Sequence, residues 1–240
     1  MAAPLDQNPA LWLDASRGIT LVDGKVSQWA DQSGNGYHAT QSNAAKRPTV
    51  ATGVINGCSA LLFDGTDDFF VTSYPGKAAG QTMFAVARTN DTTKNTRRVW
   101  GFGSTYSLFA NNTQWAWYAN NASGITNFGG QSANWSIIET RRVSNSSVNA
   151  RVNGGTQTSF DPFDQSDGTT LNVASDLPGG LNFWPGWIAE IIGFNSALSD
   201  EDMAAVRLYL QIKYGFVRPP ITKGVHRLEI GLGLGLGGSR

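Results

Sequence analysis

The chain is short of charge, cysteine, histidine and long apolar runs, and each shortage closes off a class of function. Only 15% of its 240 residues are Asp, Glu, Lys or Arg, against roughly 25% in an ordinary soluble domain. Lys and Glu are good helix formers and are depleted in strands, so the deficit points to sheets and turns. Eighteen basic residues balance eighteen acidic ones. No long basic run is available to neutralise a phosphate backbone, which argues against nucleic acid as a partner. The pairs Arg97-Arg98 and Arg141-Arg142 read as solvated strand ends. Cys58 is the single cysteine, so no intrachain disulfide forms. The two histidines, His38 and His226, do not have zinc-ligand spacing. No stretch approaches the roughly 18 apolar residues needed to cross a bilayer, so membrane insertion is not expected. Residues 1–6 lack the basic and apolar regions of a secretory signal.

What the chain does have is glycine, 28 residues, and aromatics, 11%. Short β-type runs alternate with turn residues along most of its length. Leu11-Trp12-Leu13 opens the series. Asp23-Gly24, between Thr20-Leu21-Val22 and Lys25-Val26, has the signature of a tight hairpin. Leu61-Leu62-Phe63, Phe69-Phe70-Val71 and residues 83–87 read as core strands. Val148, Ala150 and Val152 alternate with polar Asn149 and Arg151, the period of a half-buried strand, and Asn153-Gly154-Gly155 turns the chain onward. Residues 187–194 form the longest late strand candidate. One helix follows: Ser199 caps it, Asp200 and Glu201 suit its positive end, Met203, Val206 and Leu210 form its apolar stripe, and Gly215 ends it. One domain over 1–217 is expected, with the helix covering an end or face of the sheets. Residues 218–240 differ in character. Arg218-Pro219-Pro220 is stiff, and Leu228, Ile230, Leu232, Leu234 and Leu236 then alternate with small or polar residues, mostly glycine. This is either a loose tail or remnant or an assembly arm that adds a strand to a neighbouring subunit.

Four stretches in order resemble one superfamily. They are Trp29-Ala30-Asp31-Gln32-Ser33-Gly34-Asn35-Gly36-Tyr37-His38-Ala39, Leu62-Phe63-Asp64-Gly65-Thr66-Asp67-Asp68, Val152-Asn153-Gly154, and the run from Gly186-Trp187-Ile188-Ala189-Glu190 to Leu198-Ser199. Together they resemble the concanavalin A-like lectin/glucanase superfamily, laminin G-like branch, over residues 11–215. The resemblance implies an all-β fold: a two-sheet antiparallel jelly-roll sandwich, with the C-terminal helix and an extended C-terminal arm beside it. Such domains occur in bacterial surface proteins and in bacteriophage virion proteins. With no signal peptide and a Gly/Leu arm, the expectation is a non-enzymatic virion component (decoration, fibre or tail) whose partners are other virion subunits or copies of itself and surface glycans. The alternative is a free, secreted or cell-surface carbohydrate-binding module or adhesin domain.

A glycosidase needs two carboxyls about 5 to 9.5 Å apart, and the neighbours of Glu190 (Ile188, Ile191, Ile192) supply none, while Glu139 stands alone in its stretch. Nucleophile elbows and P-loops are missing. No cofactor is required. A structural calcium is the ion that the acidic turns suit, with Asp31, Asn35, Asp64, Asp67, Asp68 and Glu190 as its candidate ligands; the bland alternative is that Asp31 and Asp64 cap turns. For glycans, Trp115, Trp117, Tyr118, Asn120, Asn121 and Trp184 are the candidates, since rings stack on sugar faces and amides bond hydroxyls. Burial of the indoles in a sandwich core is the competing reading, and exposure decides between the two.

Overall fold

The computed structural model describes residues 4–77, 79–93, 95–103, 105–119, 125–161, 167–168, 170–177, 180 and 182–217. In chain order the strands are β1 (Leu11–Asp14), β2 (Ile19–Val22), β3 (Lys25–Trp29), β4 (Ala39–Thr40), β5 (Thr49–Gly53) and β6 (Gly57–Asp64). Then come β7 (Phe70–Pro75), β8 (Gln81–Thr89), β9 (Arg97–Phe102), β10 (Tyr106–Asn111), β11 (Gln114–Ala119) and β12 (Ile125–Gly130). The last are β13 (Ser136–Ser144), β14 (Ser147–Val152), β15 (Thr158–Phe160), β16 (Thr170–Val173) and β17 (Pro185–Phe194), followed by helix α1 (Asp200–Lys213).

Two antiparallel sheets result, as the all-β expectation required. One has eight strands in the order β15-β14-β13-β8-β17-β6-β5, with β1 also on β17; the other has nine, in the order β12-β11-β10-β9-β16-β7-β4-β3-β2. The first half of β17 pairs with β6 and its second half with β1, and its register against β8 shifts between Ile188 and Glu190. The two hairpins legible in the sequence are present. Asp23 and Gly24 have φ of 52° and 77°, and Asn153 and Gly154 have 52° and 71°, the pair of positive φ values that twist-matched hairpin turns demand.

Side chains from both sheets fill the space between them, among them Leu13, Trp29, Phe63, Phe70, Trp100, Leu108, Ile138, Val148 and Ile191. A second apolar layer lies on the other side of the eight-stranded sheet, where Trp12, Phe84, Ile137, Ile192 and Phe194 meet Met203, Val206 and Leu210 of α1. Leu11 and Leu13 thus face one layer and Trp12 the other. Strands covered on both faces read as unbroken apolar runs, which is why β17 shows no alternation. Ser199 caps α1 by accepting from the Asp202 amide at 3.1 Å, and Gly215 leaves it with φ of 76°.

Candidate functional site

The aromatic residues expected to stack on sugars belong to the core. Trp115 and Trp184 are 0% exposed and Trp117 is 2% exposed. Trp115 stacks on Trp184 at 5.7 Å, and Trp117 is wedged between Trp100 and Tyr106 at 5.8 and 5.4 Å. A sugar needs a free ring face, so these three indoles are not a stacking platform; the i, i+2 spacing on β11 records the inward face of a strand. Tyr118 points the other way, half-buried, with the Arg98 guanidinium over its ring. Asn120 and Asn121 lie outside the described residues, as do Leu228, Ile230, Leu232, Leu234 and Leu236.

The arginine pairs are also not merely solvated strand ends. Arg98 and Arg142 are buried, Arg98 over Phe109 and Tyr118 and Arg142 over Tyr106 at 4.1 Å. Desolvation lowers the pKa of both guanidiniums. Stacking on aromatic faces is the arrangement that makes a weakly hydrated, delocalised cation tolerable indoors.

The six calcium candidates do not make one site. Glu190 is fully enclosed beneath α1, where its carboxylate accepts from Trp12 Nε1 (2.6 Å), Tyr209 Oη (3.0 Å), Tyr214 Oη (2.7 Å) and Lys213 Nζ (2.7 Å). Asp14, opposite Glu190 in register, meets the same Lys213 Nζ at 2.8 Å. Two carboxylates therefore do converge, across strands rather than along one. Both are buried and share a lysine, which makes them an anchor for the helix rather than a glycosidase pair. Glu139 is not alone either: Arg207 of α1 grips it through Nε and Nη2 at 2.6 and 2.7 Å. Burial pushes the Glu190 carboxyl above its usual range, although Lys213 opposes the shift.

Asp31 is likewise committed. Its Oδ1 accepts from the amides of Trp12 and Ser33, and its Oδ2 from the Tyr37 amide and Ser33 Oγ, all within 3.0 Å. Four donors on two oxygens define a loop organiser, with no lone pair to spare for a cation. Asp64, Asp67 and Asp68 remain grouped, one oxygen from each lying within 4.8 Å of the others. Asp64 Oδ1, however, caps the turn by accepting from the amides of Thr66 and Asp67. Burial and the Asp64 charge raise Asp68 from 3.8 to about 6.

What Asp31 organises is a polar pocket of about 370 Å³ at the meeting of β1, β17 and the loop before β4, within the size range of small-molecule sites. Gly34 and Gly36, with φ of 92° and 78°, let the loop fold back on itself. Asn35 Nδ2 then donates to Ala10 O (3.0 Å) and Ser33 Oγ (3.1 Å). Tyr37 is held edge-on against Tyr74 at 5.5 Å. Asn8, Asn195 and Ser196 complete the rim, and all three are exposed. None of the nine lining residues carries a charge at neutral pH. The pocket thus offers amide and hydroxyl groups that both donate and accept, beside the Tyr37 and Phe194 side chains, on a loop fixed before any ligand arrives.

No protein-family model and no curated protein matches the chain. Solved structures do. The binding domain of botulinum neurotoxin serotype D superposes with a TM-score of 0.63 and 13% identity in a complex with N-acetylneuraminic acid, over 89% of this chain and 56% of that one. Trypanosoma rangeli sialidase superposes with a TM-score of 0.61 and 15% identity, over 86% of this chain and 33% of that one. The shared fold is a two-sheet antiparallel jelly roll. The chain spans about half the length of the toxin domain and a third of the sialidase, so the likeness is one of architecture.

The sequence reading does not pick Asn8, Tyr37, Asn195 or Ser196 as site residues, although the last three lie in stretches that carry the resemblance. Asn195 and Ser196 follow the end of β17 and Asn8 precedes β1. Nothing local marks these amides, because the site exists only once Ala10 bonds Gly193 across the sheet at 2.8 Å.

Proposed function

We propose that the chain is a carbohydrate-binding, lectin-like module that recognises a neutral, hydroxyl-rich sugar in the Asn8–Asn35–Tyr37–Asn195 pocket. The observation that carries this reading is an uncharged set of amides and hydroxyls, prearranged by the four hydrogen bonds to Asp31. Sugar hydroxyls donate and accept at once, and amides answer both demands. Prearrangement removes the entropic cost of ordering the loop on binding. The toxin domain and the sialidase support the reading by fold. An acidic sugar such as the N-acetylneuraminic acid in the toxin complex would meet no cation in this pocket, which is why the proposal specifies a neutral one. Binding rather than hydrolysis fits the burial of Asp14 and Glu190 behind Lys213.

The virus-particle setting, with other virion subunits or further copies as partners, rests on the sequence resemblance. An outward-facing sugar-binding module is what a decoration, fibre or tail component would present to a host surface. The test is a panel of neutral and acidic oligosaccharides against the full chain. Neutral ligands should bind, and Asn35→Ala and Asn195→Ala should each weaken binding by about 1 kcal/mol, roughly fivefold in Kd. Binding that survives both substitutions unchanged, or that is confined to acidic sugars, overturns the proposal.

A further inference from the structure

On the helix side, the eight-stranded sheet is shut off from water along Ile137, Val86, Ala189 and Ala60 of β13, β8, β17 and β6, all fully buried in the apolar layer that α1 completes. Two residues further along each strand the cover ends. There Trp135, Arg88, Trp187 and Leu62 form the next row on the same face. They are aligned across the sheet, since Ser136 pairs with Ala87 and Trp187 pairs with both Arg88 and Leu62. All four are half-buried. The row holds one charge. The Arg88 guanidinium lies 5.4 Å from the centre of the Trp135 ring and 5.7 Å from that of Trp187. Arg17, Arg98, Arg141 and Arg207 each meet a carboxylate, whereas Arg88 meets none among the described residues.

An unanswered guanidinium between two indoles suits a carboxylate. The rings hold the planar fork in place and thin the water around it, so a charge-assisted pair formed there gains more than one on an open surface. Beside the row lies a pocket of about 250 Å³, lined by Lys25, Thr49, Leu62, Asp64, Asp68 and Asn90 among others. Leu62 belongs to both. From Arg88 to Leu62 is two strand spacings, about 10 Å, so one extended ligand reaches from the cation into the pocket. The pocket has the opposite preference. Two carboxylates against one ammonium repel a second anion, while the Thr49 hydroxyl, the Asn90 amide and the carboxylates themselves answer sugar hydroxyls. This face therefore selects a ligand with a negative charge at one position and none at the next.

We propose that the Trp135–Arg88–Trp187 row is a second glycan site, for an oligosaccharide in which carboxylated sugars alternate with neutral ones. The carboxylate sits on Arg88, the sugar rings lie against the indoles, and a neutral sugar enters the Asp64–Asn90 pocket. The site shares no residue with the Asn35 pocket and takes from the reading above only that the ligand is a glycan. The experiment titrates the full chain with three probes while amide and indole signals are followed. They are a hyaluronan hexasaccharide, which alternates glucuronate with N-acetylglucosamine; hexagalacturonate, in which every sugar is acidic; and hexaglutamate, an acidic peptide. The hyaluronan fragment should bind and move the Trp135 and Trp187 indole signals and the Arg88 and Asn90 amides. Arg88→Met keeps a side chain between the rings and should weaken that binding about tenfold, while binding neutral sugars in the Asn35 pocket as wild type does. Hexagalacturonate should bind roughly tenfold more weakly than hyaluronan, because like charges meet in the pocket, and hexaglutamate should leave both indoles unmoved. A hyaluronan fragment that does not bind, or that moves other residues, overturns the proposal. So does equal affinity in Arg88→Met, or either of the other probes binding the row as tightly. Should Arg88→Met not fold, the shift map and the ranking of the three probes on wild type decide. Absence of neutral-sugar binding would sink the Asn35 reading alone, since this site is judged by its dependence on Arg88.

Discussion

Replacing Lys213 by methionine tests how α1 is held. The ammonium sits 2.7 Å from Glu190 and 2.8 Å from Asp14, with only 13% of its side chain exposed and both carboxylates essentially buried. Methionine fills similar volume but leaves two acids facing each other without their shared cation. Asp14 keeps Arg17 at 3.4 Å; Glu190 keeps only neutral donors. Breaking a buried ion pair by removing one partner costs about 3–5 kcal/mol, and that loss is expected in urea unfolding at pH 7. The pH dependence carries the sharper information. Glu190 already titrates above the ordinary carboxylate range in the folded chain, and loss of Lys213 raises it further. A carboxyl whose folded pKa exceeds its unfolded value favours folding most when protonated, and that contribution falls as pH rises between the two values. Lys213→Met should therefore regain part of its lost stability on acidification from pH 7 to 5, relative to wild type. Adding Glu190→Gln should restore most of it at pH 7. A single variant that loses less than 1 kcal/mol, or whose stability parallels wild type across this pH range, refutes the reasoning.

Three further expectations follow from the same geometry. Trp117→Ala should cost about 3–5 kcal/mol in urea unfolding, and any loss of sugar binding should track the unfolded fraction, because the indole sits between Trp100 and Tyr106 rather than at a surface. Asp68→Asn should stabilise the chain at pH 7 by on the order of 1 kcal/mol after screening. It should also flatten the fall in stability between pH 4 and 6 that a folded pKa of about 6 imposes. Calcium, if it acts, acts at the Asp64–Asp67–Asp68 turn: CaCl₂ should raise the Tm of wild type but not of Asp67→Asn, and a wild type indifferent to calcium removes the ion from the account.

The features legible in the sequence were those written in adjacent residues. Asp23-Gly24 and Asn153-Gly154 forecast their hairpins because positive φ at two successive positions is a local demand. Ser199, Met203, Val206, Leu210 and Gly215 forecast α1 because capping and the helical period are local too. Burial was not legible, since Trp115 and Trp117 at alternate positions describe an inward and an outward strand face equally well. Neither was long-range polar pairing. Nothing in the helix sequence marks Arg207 or Lys213, because Glu139 on β13 and the Asp14–Glu190 pair that meet them are supplied by distant strands. The Asp31 loop was noticed for its oxygens. They are turned towards backbone amides, and the loop's contribution to the site is the shape they hold.

The most direct measurement is chemical-shift mapping of the full chain during titration with a neutral oligosaccharide that binds it. The account predicts perturbations centred on Asn8, Ser33, Asn35, Tyr37, Asn195 and Ser196, with the Trp115 and Trp117 indole signals unmoved. Perturbations centred on the outer face of the nine-stranded sheet, or spread over the core tryptophans, would contradict it.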